Sequence, residues 1–433
     1  MHNIDLDLNI KELTKVEGAA GLDLKVRKGK VTEVKFKITE YKRFFTNAMK
    51  GKPIVAMPQH LARICGTCSN AHLICSIQAC ENALDITPSP QTKILRELTY
   101  HGLIIRDHAL HLFLFSMPDI FGKDAFLDFD ENDEQQHQML HDGFEVKSAG
   151  NFLATLIAGR SVHAPFPVIG GFLKFPEKEK IVEAIEKLEK ARPAVLRLTE
   201  VFEKAPFHFD RKTNFMALIA EGARYGYLEG VISDSFGNLV PPSEYRKHLE
   251  HVVLPYSQAS AYKHKEKSYM VGALARLNLT KEQLNDRTKK DLTKTLKKFP
   301  STDIYHNNLA QAVEILHSID DSIDLLKSGD FKPEPVIKKQ PREAVGIGVI
   351  EAPRGTLYHK VVLGGDGIVK SGEIVVPTGQ NQINIEEDVY QVVEQTLKET
   401  DSKEKIEHEI EKLIRAYDPC MSCGSHFLKV KWK

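Results

Sequence analysis

The chain has 433 residues, 42% of them hydrophobic, so it can bury a sizeable core as one large domain or as about two to three ordinary ones. Its 59 basic residues balance its 59 acidic residues, which excludes the strong overall charge that draws a protein to nucleic acid or to an anionic membrane. No apolar run is long enough to cross a membrane. Residues 1–5 show neither a basic nor an apolar leader region, which favours a cytoplasmic location.

The first predicted element is a β-hairpin with one buried face, because residues 22–38 largely alternate apolar and polar side chains around Lys28-Gly29. From about residue 58 to residue 328 the apolar residues recur at helical spacing, as they do at Leu309, Val313 and Leu316, which predicts a helical body. Within it, the Lys-rich residues 281–298 are predicted to form the exposed face of a helix.

A Pro-rich connector at residues 332–341 precedes a second strand region, where residues 356–363 and 368–376 flank a Gly-rich turn. One last helix is predicted over residues 386–416. These elements indicate an α+β fold, with a mostly helical body that forms a central helix bundle and small peripheral antiparallel β-sheets from the N-terminal and C-terminal regions. We expect a single domain over residues 1–433, with a β-rich part at 1–57, the helical body at 58–331 and a C-terminal part at 342–433.

Six cysteines are unevenly placed along this chain, and they are too few for a disulfide framework. Four of them form two Cys-x-x-Cys pairs, Cys65/Cys68 and Cys420/Cys423. Spacing alone is compatible with a structural zinc site or with a four-thiolate iron–sulfur cluster. Zinc fits poorly, because its paired ligands usually close short loops and these pairs lie at opposite ends of the sequence. The other two cysteines fit no motif and are predicted to lie in the core.

The residues that flank both pairs are more informative than the spacing. The first pair stands in R-I-C-G-T-C-S-N-A-H at residues 63–72, and the second in D-P-C-M-S-C-G-S-H at residues 418–426. Both segments resemble the paired signatures of the nickel–iron hydrogenase large subunit. Further segments that resemble this family are K-V-E-G at 15–18, with Lys in place of Arg, D-H-A-L-H at 107–111, E-A-P-R-G at 351–355 and V-P-T-G-Q-N at 376–381.

The resemblance extends over nearly the whole chain and is strongest to soluble, cytoplasmic, multisubunit members. It implies reversible oxidation of dihydrogen at a nickel–iron centre. In that pattern Cys65 and Cys420 are terminal nickel ligands, whereas Cys68 and Cys423 bridge nickel to an iron that carries carbon monoxide and cyanide. Soft thiolates suit nickel. His72 lies one helical turn after Cys68, and the resemblance makes it a hydrogen-bond donor to a bridging sulfur.

The resemblance also implies a pocket for the diatomic iron ligands. Its expected hydrogen-bond donors are Arg354 and Thr378, and its expected apolar walls are Ala352, Pro353, Leu357 and Val376. Because a buried guanidinium without a carboxylate partner is costly, Arg354 is expected to pair with Asp107 and Asp418.

The proton that cleavage releases has two candidate acceptors. One is Cys420, which would pass the proton to Glu17, and the other is Arg354. We favour Cys420 and Glu17, because a guanidinium releases its own proton too reluctantly to begin as a base.

Two features depart from the family pattern. Thr46 follows Arg43-Phe44-Phe45 where many members have an acidic residue that helps to hold magnesium together with the C-terminal histidine, here His426. A hydroxyl is a weak magnesium ligand, so the sequence argues against that ion. Residues 427–433 extend beyond His426, like the extension that is removed from family precursors after metal insertion.

Partners are implied by what the chain lacks. No further cysteine cluster remains to hold iron–sulfur centres, so a separate iron–sulfur small subunit and further electron-transfer subunits are expected. Two other functions would use the same cysteines, namely a dihydrogen sensor with little turnover and a structural zinc protein with four cysteine ligands. A related respiratory-complex subunit is disfavoured, because it lacks the cysteine pairs.

Overall fold

The structure is a computed structural model that describes residues 4–41, 44–220, 222 and 224–425. Its first element is a three-stranded antiparallel sheet in the order β1-β2-β3. The strands are β1 (Leu6–Ile10), β2 (Ala20–Arg27) and β3 (Lys30–Ile38). Lys28 and Gly29 connect β2 and β3 with φ angles of 51° and 71°, as a two-residue hairpin turn of this hand requires. The predicted hairpin is confirmed, and β1 is an additional strand.

The part of the chain that the structure describes forms ten α-helices between the first sheet and residue 330, and the four longest pack together. They are α1 (Phe45–Ala48), α2 (Met57–Leu61), α3 (Ser69–Leu84), α4 (Pro90–Ala109), α5 (Met117–Phe121), α6 (Glu134–Ala158), α7 (Lys178–Glu203), α8 (Ala273–Thr280), α9 (Asp286–Asp291) and α10 (His306–Ser328). Helices α4, α6, α7 and α10 pack against one another as the predicted central bundle. Gly102 permits the close approach of α4 to α6, because a Cβ atom there would lie 2.8 Å from the backbone nitrogen of Ala154.

The helical body predicted over residues 58–328 also contains short strands, which the helical spacing of its apolar residues did not predict. The described residues of this range form seven strands, namely β4 (Pro167–Val168), β5 (Gly171–Phe172), β6 (Met216–Ile219), β7 (Val231–Asp234), β8 (Leu239–Val240), β9 (Glu250–Val253) and β10 (Ser260–Lys263). Strands of two to four residues are too short to show an alternating pattern. The Lys-rich stretch is also not one helix, since residues 281–298 contain only α9 and two flanking 3-10 turns.

The C-terminal part begins after the connector, which has no regular structure at residues 332–341. It contains the antiparallel strands β11 (Ala344–Ala352), β12 (Gly355–Leu363) and β13 (Val369–Val375), followed by α11 (Pro377–Glu399), α12 (Lys403–Ala416) and α13 (Met421–Gly424). The predicted single helix over 386–416 is wrong. The chain breaks at residues 400–402, and the hydroxyl of Ser402 accepts a hydrogen bond from the amide of Lys405 to begin α12.

Close packing of β11 on α3 joins the C-terminal part of the chain to the beginning of the helical body. A Cβ atom at Gly348 would lie 2.3 Å from the carbonyl oxygen of Cys75, so only glycine allows this approach. The largest cluster of buried hydrophobic side chains accordingly includes Leu24, Leu309 and Ile410, from the first sheet, the bundle and α12. The predicted α+β class is confirmed. Among the described residues no helix has the length and apolar character to cross a membrane.

Candidate metal centre

Four cysteines from opposite ends of the sequence meet in the core. Cys65 and Cys68 lie just before α3, whereas Cys420 and Cys423 lie after α12. All four side chains are buried, and their Sγ atoms lie within 4.8 Å of one another. The Sγ atoms of Cys65 and Cys420 are 3.4 Å apart, and those of Cys68 and Cys423 are 3.2 Å apart. This group of four thiols, here called the Cys cluster, can hold metal through soft ligands.

Three separate segments hold Cys420 in place. The chain leaves α12 through Asp418, whose φ of 51° turns it toward the cluster. The amide of Cys420 donates to the hydroxyl of Thr378 at 2.9 Å. The amide of Met421 donates to the carbonyl oxygen of Glu17 at 2.9 Å, which pairs the first loop of the protein with its last turn.

Glu17 lies beside the Cys cluster and is half-buried. Its Oε2 is 3.0 Å from the Sγ of Cys420. The amide and hydroxyl of Ser422 donate to the two carboxylate oxygens at 3.1 and 2.6 Å and fix their orientation. Burial, followed by the nearby Cys65, raises the pKa of Glu17, although the hydrogen bonds from Ser422 and Cys420 oppose the shift. A carboxyl group that can exchange a proton therefore touches the cluster.

Arg354 is the second residue of the turn between β11 and β12, and it faces two buried carboxylates. Its Nη1 donates to Asp107 at 2.8 Å, and its Nε and Nη2 donate to Asp418 at 3.1 and 2.8 Å. The structure thus brings together the three residues that the sequence analysis paired. Burial disfavours the charged form, but the two carboxylates more than offset it and hold the pKa of Arg354 well above its usual range. The guanidinium is a permanent cation beside the Cys cluster.

A small cavity adjoins the Cys cluster. It is lined by Cys68, His72, Ala352, Pro353, Arg354, Leu357, Pro377, Thr378, Cys420 and Cys423. Most residues expected to form the diatomic pocket are among these. Val376 is buried one residue earlier, as the N-cap of α11, and Pro377 lines the cavity in its place. The cavity therefore combines apolar walls with hydrogen-bond donors.

His72 lies in the first turn of α3, with its Nε2 3.5 Å from the Sγ of Cys423. Its other ring nitrogen, Nδ1, is 3.1 Å from the Nε2 of His359 on β12. Sequence reasoning missed His359. The only available signal was its position four residues after the E-A-P-R-G segment.

A second buried ionic network supports the turn that carries Arg354. Arg276 of α8 donates to Glu314 at 2.6 and 2.7 Å and to Glu351 at 2.8 Å. It also donates to the carbonyl oxygens of Ala352 at 3.1 Å and Pro353 at 3.0 Å. Nothing in the sequence distinguished Arg276 from a surface arginine.

The remaining candidates lie apart from the cluster or outside the described residues. Cys75 and Cys80 are buried in α3, and burial raises the pKa of Cys80 to about 12 and that of Cys75 well above its usual range. They are core residues, as predicted. Thr46 lies in α1, while Arg43 and His426 are outside the described residues, so the expectation about magnesium stays untested.

Comparison with known proteins identifies the family. The family model for nickel-dependent hydrogenases matches residues 43–193 and 238–426, which is more than half of the chain. The chain belongs to the nickel-dependent hydrogenase family. The alpha subunit of sulfhydrogenase 1 from Pyrococcus furiosus is 30% identical over 434 residues, with 99% of this chain and 100% of the relative covered. The alpha subunit of sulfhydrogenase 2 from the same organism is 30% identical over 436 residues, with 98% and 100% covered.

Solved hydrogenase structures share the fold. An NAD+-reducing nickel–iron hydrogenase in the dihydrogen-reduced state has a TM-score of 0.87 and 24% identity, with 97% of this chain and 99% of that chain covered. The nickel–iron–selenium hydrogenase of D. vulgaris Hildenborough has a TM-score of 0.77 and 23% identity, with 98% and 100% covered.

Family membership decides between the interpretations that cysteine spacing left open. The chain is a hydrogenase large subunit, an oxidoreductase that acts on dihydrogen at a nickel–iron centre. The Cys cluster supplies the four thiols that such a centre needs. Large subunits of this family work with small subunits.

Proposed function

We propose that the chain catalyses the reversible oxidation of dihydrogen at the Cys cluster and passes the electrons to an iron–sulfur small subunit. The observation that carries this proposal is the convergence of four buried thiols from opposite ends of the chain next to a small cavity. A structural metal site is closed by its ligands, whereas a catalytic site keeps room for a substrate. When bound, nickel and iron supply the electrophilic site that polarises dihydrogen and takes up its two electrons.

The geometry supports a division of labour among the four thiols. Cys68 and Cys423 are 3.2 Å apart and both line the cavity, which suits ligands that bridge nickel to iron. Cys65 does not line the cavity, which suits a terminal nickel ligand. Cys420 also lines the cavity, but it contacts both Cys65 and Glu17, so we assign it as the other terminal ligand.

The cavity suits the carbon monoxide and cyanide that we propose for the iron. Arg354 has five N–H donors, and the contacts with Asp107 and Asp418 use three of them, so two can face the cavity. The oxygen of Thr378 accepts from the Cys420 amide, which leaves its own O–H as a donor. Ala352, Pro353 and Leu357 provide apolar surface.

Proton transfer is assigned to Cys420 and Glu17. The Sγ of Cys420 is 3.0 Å from the Glu17 carboxylate, which is within the reach of direct transfer. Ser422 orients the carboxylate through two hydrogen bonds. Arg354 is disfavoured as the base, because its carboxylate partners hold its pKa well above the usual range.

Several finer assignments remain proposals. We propose that the chain folds as one unit, since the largest hydrophobic cluster joins both ends of the sequence. An iron–sulfur small subunit follows from the family, and further electron-transfer subunits follow from the resemblance to multisubunit members. The cytoplasmic location stays a prediction, and so does the expectation that no magnesium ion is bound beside Thr46.

The decisive measurement is infrared spectroscopy of the chain purified with its small subunit, in the region where metal-bound carbon monoxide and cyanide absorb, together with metal analysis. We expect bands from both ligands and equimolar nickel and iron. Cys65→Ser is expected to lose nickel, whereas Cys75→Ser, at a buried cysteine outside the cluster, is expected to keep the bands. One zinc without bands would contradict the proposal. Dihydrogen oxidation assays on the same sample separate an enzyme from a sensor.

The assignment of Glu17 has its own test. Glu17→Gln retains an oxygen that accepts from Ser422 but cannot take up a proton, so dihydrogen oxidation should fall on the order of 100- to 10,000-fold. Because the pKa of Glu17 is raised, wild-type activity should decline as pH falls through that raised value and protonates the acceptor. The variant should lack this decline. The exposed Glu12→Gln is the control, and equal activity of both variants would remove Glu17 from the proton path.

A further inference from the structure

Two buried histidines form a chain that ends on the Cys cluster. The rings of His72 and His359 have centroids 5.3 Å apart, and they share one N···N contact of 3.1 Å. The opposite nitrogen of His72 contacts the Sγ of Cys423. Both side chains are less than 2% exposed. Burial shields these side chains from water, so protein atoms must supply their hydrogen bonds.

The chemistry of the end group sets the direction of the hydrogen bonds. A metal-bound Cys423 is a thiolate and can only accept, so the Nε2 of His72 must carry the proton that it donates. In a neutral imidazole the other nitrogen then accepts. The Nε2 of His359 must therefore donate to the Nδ1 of His72. With a neutral His72, one protonation pattern satisfies both contacts.

We propose that His359 is a positioning residue that holds His72 in the tautomer whose Nε2–H donates to the bridging Cys423 sulfur. This inference rests on the proposed function, because it needs Cys423 to be a metal-bound thiolate. A hydrogen bond to a ligating sulfur withdraws electron density from the metals and tunes their electronic properties. His359 thereby acts on the metal pair through a second side chain.

The backbone around His359 suits a fixed orienting group. It lies on the central strand β12, where it pairs with Gly348 of β11 and Ile374 of β13. A residue paired on both sides cannot shift without breaking the sheet. His72 stands on the rigid helix α3, against which β11 packs closely. The two rings are thus held by elements that are themselves packed together.

The test is a double-mutant cycle read by the infrared bands of the iron-bound ligands in the purified holoenzyme. Removal of the donor from Cys423 leaves a more electron-rich sulfur, so both His72→Leu and His359→Leu should move the carbon monoxide band to lower wavenumber. Combining them should add no shift beyond that of His72→Leu. His359→Gln, whose amide can still donate, should remain near the wild-type position.

Several outcomes would overturn the inference. One is a full additional shift from His359→Leu in the His72→Leu background, and another is no shift from His359→Leu alone. The control His264→Leu removes a buried histidine that bonds Asp234 instead, and it should leave the bands in place. Absence of bands in the wild-type enzyme would instead refute the proposed function.

A second measurement needs no variant. Neutron diffraction from deuterium-exchanged wild-type holoenzyme should show deuterium on the Nε2 atoms of both His72 and His359. Deuterium on the Nδ1 of His72 would overturn the inference, because His359 would then be the acceptor.

Discussion

Two hairpins with two-residue turns differ in what surrounds them. The turn of the β2–β3 hairpin, Lys28-Gly29, carries an exposed lysine, and its amides bond Asp5 at 2.7 Å and Ile4 at 2.8 Å, just before β1 of the same sheet. The turn of the β11–β12 hairpin, Pro353-Arg354, is buried. Its partners come from α4, α8 and the segment after α12.

The difference in burial explains why one turn is structural and the other can serve a reaction. An exposed turn can satisfy its polar groups with water, so it needs few partners. A buried turn must find a protein partner for each polar group, and Arg276 supplies donors for the carbonyls of Ala352 and Pro353. The same network fixes Arg354 beside the Cys cluster. Burying the second turn costs free energy unless its polar groups find protein partners. Those same partners hold Arg354 in a fixed position.

The largest expected effect is on Arg276. Arg276→Met leaves the buried carboxylates of Glu314 and Glu351 without their cation, which should cost about 3–5 kcal/mol of stability. The measurement is the denaturant midpoint of the holoenzyme, followed by circular dichroism. Arg27→Met, beside the exposed turn, should leave the midpoint nearly unchanged because its ion pair is at the surface. Similar losses of stability for both variants would show that the buried network contributes no more than the exposed ion pair does.

The same network should make the protein acid-sensitive. Burial alone would raise the pKa of Glu314, but Arg276 and His108 lower it from 4.5 to about 2. A depressed pKa contributes stability that is complete above the unfolded value and is lost as pH falls from about 4.5 toward about 2. The denaturant midpoint should fall over this window in wild type. Arg276→Met should lose this part of the pH dependence, and an unchanged pH profile would argue against the pairing.

One glycine lies in the first turn and another directly follows the second turn, and the two should respond differently to an added methyl group. Gly355 has a φ of 129°, and its Cβ would lie 2.5 Å from the Cγ2 of Val271. Gly355→Ala should therefore cost at least about 2 kcal/mol through strain and overpacking. Gly29→Ala, at a φ of 71°, should cost about 1 kcal/mol through backbone strain. Denaturation of both variants under identical conditions checks the order, and a larger loss at Gly29 would contradict it.

The last expected effect is on function rather than on stability. Arg354→Lys keeps a cation but loses the planar group that reaches Asp107 and Asp418 together, so turnover should fall on the order of 10- to 100-fold. Lys28→Arg, a cation exchange at the exposed turn, is the control and should change nothing. Assays of dihydrogen oxidation with metal content measured in parallel distinguish lost chemistry from lost metal. Full activity of Arg354→Lys would show that the planar group is dispensable.

Sequence predicted the elements whose pattern is long enough to repeat. The alternation over residues 22–38 predicted the first hairpin, and the apolar stripe that includes Leu309 and Leu316 predicted α10. Prediction from the sequence failed where elements are short, as in β4 to β10. It also failed where a local cap such as Ser402 divides one apolar stripe between two helices. In each failure the deciding interaction lies outside the pattern of apolar residues.

The sequence by itself determined the chemistry of the site, because the cysteine pairs and their flanking residues restrict which metals and reactions are possible. Only the tertiary structure decided how the site is supported. Arg276 and His359 act through residues far away in the sequence, and no local periodicity encodes such contacts. Their roles follow from burial, since each buried polar atom must find its partner wherever the packed elements bring one.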